Sequence, residues 1–197
     1  MSVTGVLREI HLFPVKSAGG TSPQTAYVGP DGLVGDRSHA VVDADGEVLA
    51  AKRVPRLREL RLAATSTPEV PVPEVPVPEV PVLVVPGGQD LATFLGVPGA
   101  HPAPVAGGAR QVEAVHVVTR RQRADPAAGD TARANLVLDL DVDPPHGARL
   151  RVGAALLEVV GVPRHCGGVF AQVLRPGAVR VGDVVELGVE RAGDPHG

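Results

Sequence analysis

Cysteine occurs once in the 197 residues, as Cys166; tryptophan is absent, and the aromatic side chains amount to one Tyr and three Phe. A single cysteine excludes an intramolecular disulfide, so a reducing compartment, the cytoplasm, is the expected setting. A zinc site needs several ligands at short spacing, and the seven histidines are not grouped that way. With so few aromatics the core has to be filled by Val, Leu and Ala, and Val in surplus over strong helix formers tilts the chain towards strand. Positive charge is not in excess either: the formal net charge is −3. That speaks against nucleic acid as a partner, which needs a basic face. No run of about 18 apolar residues is available to span a membrane. The opening residues also lack the charged-then-apolar order of a secretory leader.

What is present is a series of short apolar runs divided by turn residues. At 44% hydrophobic the chain can fill a sizeable core, as one domain or as two small ones closely packed. Val3 to Phe13 reads as a strand ended by Pro14. Thr25 to Val28, Ser38 to Val42 and Glu47 to Ala51 read as further strands, the last two joined by a tight turn at Asp43–Gly46. Arg56 to Ala63 suits either a strand or a helical turn. From Pro68 to Val82 the motif PEVPV recurs three times. Regular proline favours an extended, solvated insertion over a packed repeat. Asp90 to Leu95 suits a short helix capped by Asp90 and stopped by Gly96, and Pro98 to Gly108 reads as a linker. Beyond it, Gln111–Thr119, Ala134–Leu140, Ala148–Val152, Ala155–Val162, Val169–Leu174 and Val184–Val189 read as strands. Arg120 to Thr131 is polar, with three arginines close together. A frayed tail follows from residue 191. Many short strands with turns every eight to twelve residues describe a mainly β, barrel-like architecture. The expected division is an N-terminal subdomain over residues 1–105 and a second domain over 110–190.

Four places carry polar residues suited to chemistry. Cys166 lies on the connection Arg164–Gly168 between two strands. A lone cysteine often serves as a small buried hydrophobe, but Arg164 and His165 beside it would favour the reactive thiolate. Lys16 and Ser17 follow the first strand, and Arg37 follows the flexible Gly35. Arg133 and Asn135, two apart, would share one strand face. Cations next to hydroxyl and amide donors suit a phosphate or another oxyanion. Asp36 has a plainer reading, as the ion-pair partner of a neighbouring arginine.

Taken in order, these pieces resemble the MOSC family, named for the C-terminal domain of molybdenum-cofactor sulfurases. LFPVKS (Leu12–Ser17), GLVGDR (Gly32–Arg37), VVDADG (Val41–Gly46) and Lys52–Leu57 are similar to the family's N-terminal β-barrel signature. AVHVVT (Ala114–Thr119), ARANLVLD (Ala132–Asp139) and the run from Arg164 through GVFAQVLRPGAVRVGD are similar to its core. The resemblance implies a MOSC β-barrel packed against a smaller N-terminal barrel, with a molybdenum–molybdopterin cofactor between them. By similarity to the amidoxime-reducing members, Lys16, Ser17 and Arg37 would hold the cofactor's phosphate and pterin. Arg133 and Asn135 would bind it from the other side, and the Cys166 thiolate would be the catalytic ligand to molybdenum. The implied activity is a molybdenum-dependent oxidoreductase that reduces N-hydroxylated small molecules. With no haem, flavin or iron–sulfur motif, the chain would take its electrons from a separate protein. The alternatives are a sulfur carrier or cofactor-transfer module with a persulfide on Cys166, and a degenerate β-barrel without cofactor in which Cys166 is buried packing. The family's fused sulfurases place a pyridoxal-phosphate domain before MOSC, and nothing in this sequence is long enough for that.

Overall fold

A computed structural model describes residues 2–63, 81–105, 113–129, 131–164 and 166–188. The PEVPV repeat up to residue 80, His165 and the 191–197 tail lie outside the described residues. In chain order the strands are β1 (Ser2–Ile10), β2 (Thr25–Gly29), β3 (Gly32–Leu33), β4 (His39–Val42), β5 (Arg61–Leu62), β6 (Leu83–Val84) and β7 (His101–Pro104). They continue as β8 (Val115–Thr119), β9 (Leu136–Asp139), β10 (Arg149–Val152), β11 (Ala155–Gly161), β12 (Val169–Arg175), β13 (Gly177–Arg180) and β14 (Val184–Gly188). Among the described residues, two short α-helices, α1 (Leu91–Leu95) and α2 (Arg120–Ala124), accompany these strands together with 3-10 turns. The mainly β expectation is what the structure shows.

The chain forms two compact units. The first takes residues 1–11, 23–34 and 112–197, and the second takes 12–22 and 35–111. This differs from a single boundary between residues 105 and 110. The reason is strand pairing: β1 is hydrogen-bonded to β14 and to β9, and β2 pairs with β13. Residues from the start of the chain therefore complete sheets built from its second half.

The first unit is a closed seven-stranded barrel in the order β1-β14-β10-β11-β12-β8-β9. Alternation made β10 and β14 legible, and they bury every second residue: Leu150, Val152, Val185 and Leu187 are within 1% of full burial. β8 and β9 instead run parallel and are buried almost throughout. Their apolar runs do not alternate because both faces are covered. Val118, Ala134 and Val137 form a separate apolar cluster, and α2 packs on these two strands. β1 closes the ring by giving its first half to β14 and its second half to β9, with an irregularity between Leu7 and Glu9. Gly5 lets the strands come close there, because a Cβ at that position would strike the Asp139 carbonyl oxygen and stand 2.6 Å from Leu140 Cδ2.

The second unit packs around Val15, Val41, Leu57, Leu60 and Phe94. The Arg56 guanidinium lies 3.9 Å from the centre of the Phe94 ring, a cation–π contact that leaves the charge near solvent. The expected helix forms as α1: Asp90 Oδ1 accepts the Thr93 N–H at 2.9 Å, and Gly96 takes the left-handed conformation that ends it. The turn at Asp43–Gly46 also forms, but its return arm makes only a bridge between Val42 and Val48 rather than a ladder. Residues 55–62 supply both readings of that stretch, a 3-10 turn and then β5.

The linker reading of 98–108 needs correcting, since His101–Pro104 is β7, antiparallel to β4. Two prolines in four residues hide a strand from propensity rules, yet they fall opposite Val41 and His39. The backbone of those two residues is spent elsewhere. His39 donates to the Pro14 carbonyl and accepts from Lys16 N–H, and the Val41 carbonyl accepts from Leu49 N–H. Proline's missing donor is not needed at such positions.

Candidate functional site

In the second unit, Lys16, Ser17 and Arg37 come from two segments laid side by side. Arg37 N–H donates to the Phe13 carbonyl, His39 N–H to the Pro14 carbonyl and Lys16 N–H to the His39 carbonyl, each at 2.9 Å. Phe13 N–H in turn donates to Asp36 Oδ1 at 2.7 Å. Ser17 and Arg37, with φ of 67° and 50°, are the two non-glycine residues of positive φ among the described residues. Such conformations cost side-chain-bearing residues free energy and tend to gather at functional positions. Both fall on residues that the sequence had singled out.

Arg37 is 7% exposed, so it is not a solvated surface charge. Its guanidinium pairs with the Asp36 carboxylate and lies 5.6 Å from the centre of the Phe13 ring. The plainer reading of Asp36 is therefore what the structure shows. Lys16 and Ser17 are half-buried, and Ser17 Oγ faces the Ala51 N–H at 3.4 Å. His39 is buried beside them with Nδ1 at 2.9 Å from Ser38 Oγ. Burial pushes its pKa below the ordinary histidine value.

In the barrel unit, Cys166 is half-buried on the connection from β11 to β12, away from the barrel's packed interior. The two glycines after it let that connection lie against its neighbours. A Cβ on Gly167 would strike the Ala128 carbonyl oxygen, and one on Gly168 the Val117 carbonyl oxygen. Gly168 also has φ of 93°, which suits glycine alone. Sequence reasoning passed over His116. It is 1% exposed, its Nε2 lies 2.7 Å from the Gly167 carbonyl oxygen, and its ring meets Phe170 edge-on at 5.3 Å. The only signal was its place inside the apolar run VEAVHVV, where a buried polar ring needs a partner.

Arg133 and Asn135 do not sit on a common strand face. They occupy the turn before β9, so the alternation rule does not reach them. Arg133 is half-buried and Asn135 is 1% exposed. The Asn135 side chain is directed at backbone: its Oδ1 accepts from His116 N–H at 3.1 Å and its Nδ2 donates to the His11 carbonyl at 3.3 Å. Asn135 thus ties the start of β8 to the end of β1.

The arginines of α2 are occupied by carboxylates. Arg121 pairs with Asp143 at 2.7 Å, Arg123 with Glu9 at 2.6 Å, and Arg120 reaches Asp139 at 3.4 Å. Burial raises the Glu9 carboxyl, but hydrogen bonding to His11 and the charge of Arg123 outweigh it and hold the group below its usual range. The hydrogen bond from Arg8 does the same for Asp139.

The MOSC N-terminal beta barrel domain matches residues 4–96 of the sequence. This stretch carries the MOSC N-terminal barrel pattern. The matched stretch contains Lys16, Ser17 and Arg37, so the N-terminal motifs lie where the family pattern is found. Among solved structures, the chain is similar to the YuaD protein from Bacillus subtilis, at 13% identity and a TM-score of 0.49, over 95% of this chain and 97% of that one. No curated protein matches. The MOSC family is generally associated with molybdenum cofactor. Among the described residues, no cluster of three or more His, Cys, Asp or Glu could hold a metal ion, and no helix is long and apolar enough to cross a membrane.

Proposed function

We propose that this chain is a MOSC protein and binds a molybdenum–molybdopterin cofactor with Cys166 as the protein's ligand to the metal. Its activity would be the reduction of N-hydroxylated small molecules with electrons from a separate donor protein. The observation that carries the reading is the setting of Cys166, half-buried on a connection shaped by two glycines rather than packed among barrel residues.

The donor set fits this group. A metal held at Cys166 must bring most of its own ligands, which a dithiolene-bound molybdenum does, and a soft thiolate suits such a metal. Lys16 supplies a compact positive charge for a phosphate, and the Ser17 hydroxyl supplies a donor. Arg37 adds a buried guanidinium whose charge is already shared with Asp36. Arg133 is the further candidate for the pterin, while Asn135 contributes by fixing backbone. When bound, the cofactor would supply two-electron oxygen-atom chemistry, and the protein would bind, orient and tune it.

The test is the molybdenum and pterin content of protein made in a host that synthesises the cofactor, with Cys166→Ala alongside. Near-stoichiometric molybdenum in the parent protein, lost in a variant of unchanged circular dichroism, is the expected result. A parent protein without molybdenum or pterin sinks the reading. A persulfide trapped on Cys166 in that protein would make it a sulfur carrier instead.

A further inference from the structure

We propose that His116 is a positioning residue for Cys166, setting the thiol's place through the Gly167 carbonyl; this rests on the reading of Cys166 as the functional thiol. Close packing requires glycine at both 167 and 168, since a Cβ at either would collide with backbone of the neighbouring segments. Two adjacent glycines are also the least constrained backbone the chain can offer. Something other than side-chain packing at those residues must therefore fix the peptide that follows Cys166. His116 does so from a rigid place. It belongs to β8, is fully enclosed, and has its own backbone tied on both sides to Asn135: its N–H donates to Oδ1 at 3.1 Å and its carbonyl accepts the Asn135 N–H at 2.8 Å. The Phe170 ring limits its rotation.

The chemistry of the contact also fixes the ring's protonation. A carbonyl oxygen only accepts, so the Nε2 atom 2.7 Å from it carries the hydrogen. One residue thereby couples the Cys166 connection, through its ring, to the segment bearing Arg133 and Asn135, through its backbone.

The experiment uses the full chain and follows the rate of Cys166 alkylation by iodoacetamide from pH 6 to 10, with Cys166→Ala as the blank. His116→Phe keeps a ring against Phe170 and removes the donor, whereas His116→Gln can restore an N–H near the same place. The alkylation rate should change about fivefold or more in His116→Phe, the scale of one lost hydrogen bond, and should return towards the parent value in His116→Gln. A parent-like rate and pH profile in folded His116→Phe would overturn the proposal. Nitrogen-15 NMR of the histidine rings in the parent protein gives a second arm that needs no variant. It should show His116 as the Nε2–H form with a signal displaced when Cys166 is alkylated; an Nδ1–H form, or no displacement, would also overturn it. Neither arm involves molybdenum, so a protein that fails to bind cofactor yet shows these effects refutes the functional reading and leaves the positioning role intact.

Discussion

Ser17 and Arg37 hold a backbone conformation that side chains disfavour, and the cost can be measured. In the left-handed region an L-residue loses roughly 1 kcal/mol relative to glycine. Ser17→Gly and Ser17→Ala both delete the hydroxyl and its 3.4 Å contact with Ala51 N–H, so their difference isolates the backbone. Urea unfolding should find Ser17→Gly more stable than Ser17→Ala by about 1 kcal/mol; equal midpoints would show that no strain is held there. The residue types at these positions were readable in the sequence because cations beside hydroxyls are conspicuous. Their conformations were not, since no local rule assigns positive φ to Ser or Arg. Asn135 shows the opposite failure. Its polarity suggested a ligand, and its burial against backbone became visible only when the turn before β9 brought it to His11 and His116.

Among elements, α2 is the one whose signal was present but unread. Thr119 and Gln122 form a reciprocal cap, with Gln122 N–H donating to Thr119 Oγ1 at 3.2 Å and Thr119 N–H donating to Gln122 Oε1 at 3.0 Å. Thr119 Oγ1 also donates to Asp143 at 2.8 Å. A helix of five residues with none of them buried owes little to propensity or to a core, so the cap and the pairing of its arginines with Asp143 and Glu9 account for its presence. Thr119→Ala should cost about 1–2 kcal/mol in chemical denaturation, and a cost near zero would mean that the arginine pairs alone hold α2. By contrast α1 was legible because Asp90 and Gly96 bracket one apolar turn. β10 and β14 were legible because half-buried strands alternate. β7 was not, because its prolines are tolerated only by virtue of what β4 does with its other backbone groups.

At the scale of the whole molecule, acid stability should fall in two stages. His39 is charged less readily in the folded chain than in the unfolded one, whose value is near 6.5. The unfolded state therefore binds the extra proton, and stability is lost as the pH drops below that value towards the lower folded one. Glu9, Asp90 and Asp139 are held below their ordinary range, so their contribution is full above the ordinary carboxylate range and is lost as the pH falls through their folded values. Thermal melts between pH 7.5 and 5.5 should show a declining midpoint that His39→Gln flattens; an unchanged slope in the variant would assign the first stage to another group. The barrel's existence was readable from its many short strands, but its closure was not, because no local pattern announces that β1 will lie between β9 and β14. That closure sets a timetable for the chain's birth. β1 leaves the ribosome well before its partner β14, which begins at residue 184 and at about 5–20 residues per second follows roughly 10–35 seconds later. Throughout that interval the opening strand has no completed ring to enter, and its apolar side chains are the ones a chaperone would meet.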